Sequence, residues 1–285
     1  MGVISLAPMQ VDPVISKSIT QDIRLKGHQS IRFAADGFSV LISDASYTPV
    51  HLKQYTFKSP VPIEELVAEC GRILDEEGLL SFEGETVLIT DSMAVTLLPK
   101  QFYNVDKNRE ILEKVCALDK NDRVYDRSIK NRNFHLVFAV PDKIIGLGNR
   151  FAGDVKILHI AECLLSLSDQ VKASDHQRGV LMAEVQTHTL DILVIVGDRV
   201  QLLNRYSLND PSDFIYHTLN TMRQLELDPE SIPVYLSGMI HEDHELKGLL
   251  LKYIRNVIST PYYLEDLTRE QILRFMILSE GSKCV

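Results

Sequence analysis

Ser30-Ile-Arg-Phe-Ala34, Asp36-Gly37 and Phe38-Ser-Val-Leu-Ile42 carry the reading of the fold. Apolar residues alternate with polar ones on both sides of Asp-Gly, the pattern of a β-hairpin. The adjacent Asp36 and Gly37 suit a tight type I′ turn. Working outward, His51 to Phe57 reads as a third strand. Pro60 and Pro62 then open a helix, with Ile63, Leu66, Val67, Cys70, Ile73 and Leu74 at helical spacing. Gly78 ends it, and Thr86-Val-Leu-Ile-Thr90 reads as a buried strand.

The same order returns further along. Gly179-Val-Leu-Met-Ala-Glu-Val185 is a strand, Gln186-Thr-His188 a polar turn, and Leu190-Asp-Ile-Leu-Val-Ile-Val196 the next strand. Gly197-Asp198 turns the chain into Val200-Gln-Leu-Leu-Asn-Arg-Tyr206. Asp210-Pro-Ser-Asp213 starts a helix with Phe214, Leu219, Met222 and Leu225 facing inward. Asp228-Pro229 stops it before the strand Val234-Tyr-Leu-Ser237. In both halves about 55 residues separate the first strand from the one after the helix, and the halves are offset by about 150. Residue identity between them is low, so element order is what repeats. The pattern predicts two related α/β domains in one chain. Their expected limits are a lead-in over residues 1–27, weakly periodic over 1–25 and read as a flexible stretch or one edge element, an N-terminal domain over 28–145 and a C-terminal domain over 146–285. Ligands of such pairs bind in the cleft between domains.

The chain has 285 residues, and 30 Lys+Arg against 39 Asp+Glu give a formal net charge of −9. An acidic chain repels phosphate backbones, which argues against nucleic acid as a partner. None of the 14 glycines is adjacent to another, and there is neither a G-x-x-x-x-G-K-[ST] run nor a D-x-G triplet. Phosphate loops use glycine because backbone N–H groups must approach the ligand with no Cβ in the way. Cys70, Cys116, Cys163 and Cys284 lie far apart, with no C-x-x-C pair, so they read as packing residues, with Cys284 an exposed thiol at the tail. The start, Met1 to Met9, has no basic region followed by an apolar run, and no stretch of about 18 apolar residues occurs anywhere. A cytoplasmic protein with no transmembrane segment is expected.

The duplicated order resembles the actin-like ATPase fold of paired ribonuclease H-like domains. That fold is also seen in sugar kinases and in the cytoplasmic scaffold proteins of type IV pilus and type II secretion machines. Leu136-Val-Phe-Ala-Val-Pro141 through Val155-Lys-Ile-Leu-His-Ile-Ala-Glu162 looks like the bridge between halves in the pilus-scaffold group. Leu181-Met-Ala-Glu-Val-Gln-Thr-His-Thr-Leu-Asp-Ile-Leu-Val194 is similar to the run that holds a D-x-G-x-x-x-T phosphate loop there. Val234-Tyr-Leu-Ser-Gly-Met-Ile240 resembles the strand-glycine turn of the adenosine motif, and Leu249 to Val257 its closing helix and strand. Five short segments together resemble an uncharacterised bacterial family of this superfamily. They are Ser30-Ile-Arg32, Asp36-Gly-Phe-Ser39, Leu98-Pro-Lys-Gln-Phe102, Asp213-Phe-Ile-Tyr216 and Lys252-Tyr-Ile-Arg-Asn256. The resemblance covers the chain from about residue 28 to the end. It implies a fold, and a fold does not supply a function.

An active member of the fold would hold ATP and magnesium at three places. The first is the turn at Asp36 and Gly37, where the pattern wants a spacer between acid and glycine. The second is Glu184-Val-Gln-Thr-His-Thr189. The resemblance places Glu184 where an acid holds magnesium-bound water, and Gln186 where the pattern has glycine; Thr187 and Thr189 remain as hydrogen-bond donors. The third is Ser237-Gly238-Met239, where Met239 replaces one of two glycines. Phosphoryl transfer needs all such parts at once. The expectation is therefore no catalytic residue, no metal ligand and no bound cofactor. The protein reads as a non-catalytic scaffold with an unidentified protein partner. The alternative is an atypical nucleotide-binding ATPase or switch that uses Glu184 or Asp191 for magnesium.

Other motifs are decoys. Gly146-Leu147-Gly148 would need its third glycine where Phe151 stands, and Pro141-Asp142 reads as a helix start before it. His241-Glu-Asp-His-Glu245 has its second histidine one residue short of H-E-x-x-H and reads as an acidic helix N-terminus. Asp119 to Arg132 mixes bases with acids and reads as a solvated loop or edge hairpin.

Overall fold

The computed structural model describes residues 10–129, 132–171, 179–240 and 244–284. The chain divides into two compact units, Met1–Glu162 with Gly281–Val285, and Cys163–Glu280.

The first unit opens with strand β1 (Gln10–Ser16) and the short helix α1 (Gln21–Lys26). The expected hairpin follows as β2 (His28–Ala34) and β3 (Gly37–Ser43), and then come β4 (Pro49–Thr56), α2 (Ile63–Glu76) and β5 (Glu85–Thr90). Helix α2 buries Leu66, Val67, Cys70, Ile73 and Leu74, and ends at Gly78, whose φ of +66° is the left-handed conformation glycine tolerates best. The hairpin turn corrects the sequence expectation. The loop is Ala35-Asp36, Gly37 already pairs with Ala34, and neither Asp36 nor Gly37 has a positive φ, so the turn is not type I′. Glycine is needed at position 37 because a Cβ there would strike the Tyr55 carbonyl oxygen of β4.

Between β5 and the end of the unit lie β6 (Val95–Pro99), α3 (Asn108–Glu113), β7 (Arg123–Ser128), β8 (Phe134–Val140), α4 (Asp142–Gly148) and β9 (Val155–His159). Strands β6, β8 and β7 make a separate antiparallel sheet in that order. Its core is Ala94, Leu98, Leu112, Val137 and Ala139. The mixed-charge stretch from Asp119 thus supplies an edge strand, as one of its two readings expects. Gly146 and Gly148 lie inside α4, which follows Pro141, so the dinucleotide reading has no loop to rest on.

The main sheet of this unit has the order β1-β4-β3-β2-β5-β9, with β2, β5 and β9 parallel. Residues 10–27 include β1, which pairs antiparallel with β4 at the sheet edge, the edge element that is one of the two readings of this segment; the limit between units differs from the expectation. Pro13 has no N–H to give a second neighbour, which suits the edge position β1 occupies. Residues 146–162 belong with the first unit rather than the second, because β9 pairs with β5 in its sheet.

The division falls within helix α5 (Ile160–Val171). The second unit continues with β10 (Val180–Val185), β11 (Thr189–Val196), β12 (Arg199–Ser207), α6 (Pro211–Gln224), β13 (Val234–Gly238), α7 (Glu245–Leu250), β14 (Val257–Ser259) and α8 (Arg269–Gly281). Its sheet has the order β12-β11-β10-β13-β14. Counted from the hairpin, both sheets read third, second, first, fourth, fifth strand: a meander followed by two parallel neighbours. One face of this sheet, with Leu181, Ala183, Val185, Leu190, Ile192 and Val194, packs with Phe214 and Met222 of α6 into a continuous core. Leu219 and Leu225 pack against that core while half-buried. Full burial of one such side chain contributes about 1.5–3 kcal/mol.

The start of α5 is capped in an unusual way. Glu162 accepts from the His159 backbone N–H at 3.0 Å, and His159 Nδ1 accepts from Ala161 N at 3.1 Å, so the pair forms a capping box with histidine as the cap. His159 Nε2 then donates to the Ser92 carbonyl at 2.9 Å. Burial pushes the Glu162 carboxyl up to about 7, although the His159 hydrogen bond and Arg127 oppose this. The unfolded chain releases that proton near 4.5, so between these values the unfolded state binds fewer protons. Stability is therefore expected to fall as pH rises from 4.5 towards 7. Thermal melts of the wild type and Glu162→Gln across this range check it. The wild type should lose ground to the variant as pH rises, and parallel curves would refute the assignment.

Candidate functional site

Buried polar residues of the second unit include a row near the hairpin end of its sheet. Val185 of β10 faces Leu190 of β11, and Gln186 N donates to the Thr189 carbonyl at 2.8 Å, which leaves Thr187 and His188 as a closed two-residue loop. One pair back from Val185, a row of polar residues crosses four strands. Arg205 of β12 faces Asp191 of β11, Asp191 faces Glu184 of β10, and Glu184 faces Ser237 of β13. All four are buried, with exposures of 5%, 3%, 0% and 1%. Residues directly opposite in a sheet share a face, so this row lies on the side away from the α6 core.

Several of the row's contacts come from neighbouring strands and the turn. Arg205 Nη1 lies 3.2 Å from Asp191 Oδ2, and its Nη2 donates to Thr189 Oγ1 at 2.9 Å. Gln186 folds back over the turn, and its Nε2 donates to Glu184 Oε1 at 2.8 Å. Gly238 ends β13 at a φ of +90°, where a Cβ would strike the Val185 carbonyl oxygen. That same oxygen accepts from Met239 N at 2.6 Å. Gly238 is thus required for β13 to close against β10.

Two hollows lie beside this turn. A cavity of about 350 Å³ is lined by Gln186, Thr187, His188, Asp210, Met239 and His244. A larger groove of about 600 Å³ runs between α6 and α7, lined by Ile215, Tyr216, Leu246, Leu249 and Tyr253, and is mostly apolar. Tyr216 and Tyr253 remain 61% and 58% exposed at its rim. Asp210 and Asp213 form a capping box at the start of α6. His244 caps α7, with Nδ1 accepting from Leu246 N at 3.2 Å. His241, Glu242 and Asp243 of the metal-like motif lie outside the described residues.

The structure therefore brings Glu184, Gln186, Thr189 and Gly238 to one end of one sheet, with Thr187 exposed on the loop between them. Asp36 and Gly37 belong to the hairpin of the first unit, where Asp36 O accepts from Phe57 N at 2.8 Å. The fold implies a magnesium nucleotide, and these residues do not fit one in the usual way. The carboxylate expected to face magnesium-bound water is fully buried and held by Gln186. Thr189 Oγ1 is held by Arg205, and Gly238 is closed onto Val185. Among the described residues no group of three or more His, Cys, Asp or Glu is placed to hold a metal ion, and no helix is long and apolar enough to cross a membrane. Sequence reasoning missed Arg205. The available signal was a single acid inside each of two apolar strands, Glu184 and Asp191, with an arginine in the third.

Solved structures place this geometry in a class. A Bacteroides thetaiotaomicron protein of actin-like ATPase fold and unknown function superposes with a TM-score of 0.71 at 20% identity, covering 85% of this chain and 94% of that one. A chain of the PilM–PilN type IV pilus biogenesis complex superposes with a TM-score of 0.57 at 13% identity, covering 91% and 98%. The protein has the actin-like ATPase fold. The sequence profile of DUF3822, a family of unknown function, matches residues 17–257, and the chain belongs to that family. No curated protein matches the sequence.

Gly238→Ala is expected to destabilise the second unit by about 2 kcal/mol or more, because it adds a Cβ at a positive φ against backbone that cannot withdraw. Urea unfolding of the wild type and variant measures it, and an unchanged midpoint would remove the structural role given to this glycine.

Proposed function

We propose that this protein is a non-catalytic member of the actin-like superfamily that works by binding another protein. The observation that carries the reading is the Gln186–Glu184 hydrogen bond across a closed turn. Phosphate loops work by presenting bare backbone N–H groups and a solvent-facing acid. Here a side chain takes the acid, and the backbone N–H of Gln186 is spent on the Thr189 carbonyl. Phosphoryl transfer by positioning and electrostatics has few groups left to work with at this turn. A protein partner is supported by the apolar groove between α6 and α7, since exposed aromatic side chains around an apolar hollow are the usual anchors of interfaces. It is supported also by the similarity to PilM, which is found in a complex with PilN.

A thermal-shift titration with millimolar Mg·ATP tests the reading, because a ligand that binds the native state raises the melting temperature. No shift is expected. A dose-dependent rise that Glu184→Ala abolishes would overturn the proposal in favour of an atypical nucleotide switch. Affinity purification from native lysate is expected to bring down a defined partner, and repeated failure counts against a binding module.

A further inference from the structure

Helix α7 carries a glycine that its own fold does not explain. Gly248 lies in the interior of the helix, exposed, and its φ is not positive. A Cβ built there meets no atom within 4 Å. Glycine in a helix interior is less favourable than alanine, because it loses more backbone freedom on folding. Its remaining use at such a place is to let another molecule approach the backbone closely. The residues around it share a face. Glu245, Gly248, Leu249 and Lys252 stand at i, i+3, i+4 and i+7. The helix ends at Leu250, and Leu251 N donates to the Lys247 carbonyl at 3.1 Å, so the turn continues towards Lys252. Glu245 and Lys252 are exposed, and Leu249 is half-buried in the wall of the groove between α6 and α7. The face therefore runs acid, glycine, leucine, base.

We propose that this face, with the groove beside it, docks a second copy of this chain about a twofold axis between Gly248 and Leu249. Turned end for end, the pattern is complementary to itself: Glu245 of each copy meets Lys252 of the other, and Gly248 of each meets Leu249 of the other. A twofold contact pairs residues in this reciprocal way. The bare Gly248 leaves room for the Leu249 side chain, and the approaching helices cover the apolar hollows that Tyr216 and Tyr253 rim. Opposite charges at the two ends fix the antiparallel direction, since a parallel approach would set Glu245 on Glu245 and Lys252 on Lys252. The patch spans one short helix and one groove, so the association is weak, with a Kd of about 10–100 µM. This rests on the reading of the groove as a protein-docking surface and gives that surface its partner.

Sedimentation equilibrium of the full chain from about 5 to 500 µM tests it, a range that brackets that Kd. A monomer–dimer equilibrium is expected. Glu245→Lys and Lys252→Glu should each weaken it about tenfold or more, because each sets like charges against one another twice. An equimolar mixture of these two variants should dimerise at least as well as the wild type, since Lys faces Glu at both ends of the mixed pair. Gly248→Leu should abolish the dimer while melting no lower than the wild type, because the added side chain has open space in the monomer and leucine is the better helix former. A chain that stays monomeric throughout overturns the proposal, as does a dimer that Gly248→Leu and the charge reversals leave intact. A monomer that still captures a defined partner ends self-docking and leaves the protein-binding reading in place. A dimer with an Mg·ATP shift that Glu184→Ala abolishes removes the non-catalytic reading and leaves self-docking in place.

Discussion

Strand β10 is clamped at its last residues from both sides, and the chemistry of the second unit depends on that clamp. Its Val185 faces Leu190 on one flank, and its carbonyl accepts from Met239 N on the other. Gly238 is the residue that permits so close an approach. Because β10 is interior to the sheet, a charge on it cannot reach water by bending away, and Glu184 must be satisfied by its neighbours. Asp191 and Ser237 stand opposite it by register, and Gln186 donates to it from the turn. A shift of one residue in that register would turn the entire polar row into the apolar core against α6.

The two units solve one topology with different chemistry. In the third pair from the hairpin loop, the first unit sets Arg32, Ser39 and Gln54 side by side and the second sets Glu184, Asp191 and Arg205. Strand order and twist are set by backbone geometry and by the apolar faces, and both solutions satisfy them. What each unit can bind is set by the few side chains near the turns. This is why an actin-like fold, shared with proteins of low identity, does not fix an activity here.

Much of the fold was legible because it rests on local periodicity. The two meanders, the helices from Ile63 and from Pro211, and the strands around Thr86 and Val234 all lie where alternation and helical spacing put them. The turn at Asp36-Gly37 was less legible. Asp-Gly favours a positive φ as a dipeptide, but β4 passes so close that Gly37 is spent on clearance from Tyr55 instead. Residues 1–25 show weak periodicity, and within them β1 is an edge strand interrupted by Pro13 and a register shift. The limit between units was misplaced for a related reason. A parallel strand such as β9 joins its sheet through a partner, β5, more than 60 residues away, and no local pattern reports it.

By itself the sequence determined that two like α/β units would form and that the chain has no G-x-x-x-x-G-K-[ST] run and no D-x-G triplet. Composition and spacing suffice for both, since they reflect short-range steric rules and burial of apolar faces. Only the tertiary structure decided what the remaining polar residues do. Glu184, Asp191, Thr189 and Arg205 come from three strands, and which of them meet depends on register and on which face each occupies. Burial then turns that meeting into an obligation, because charges removed from water must find one another.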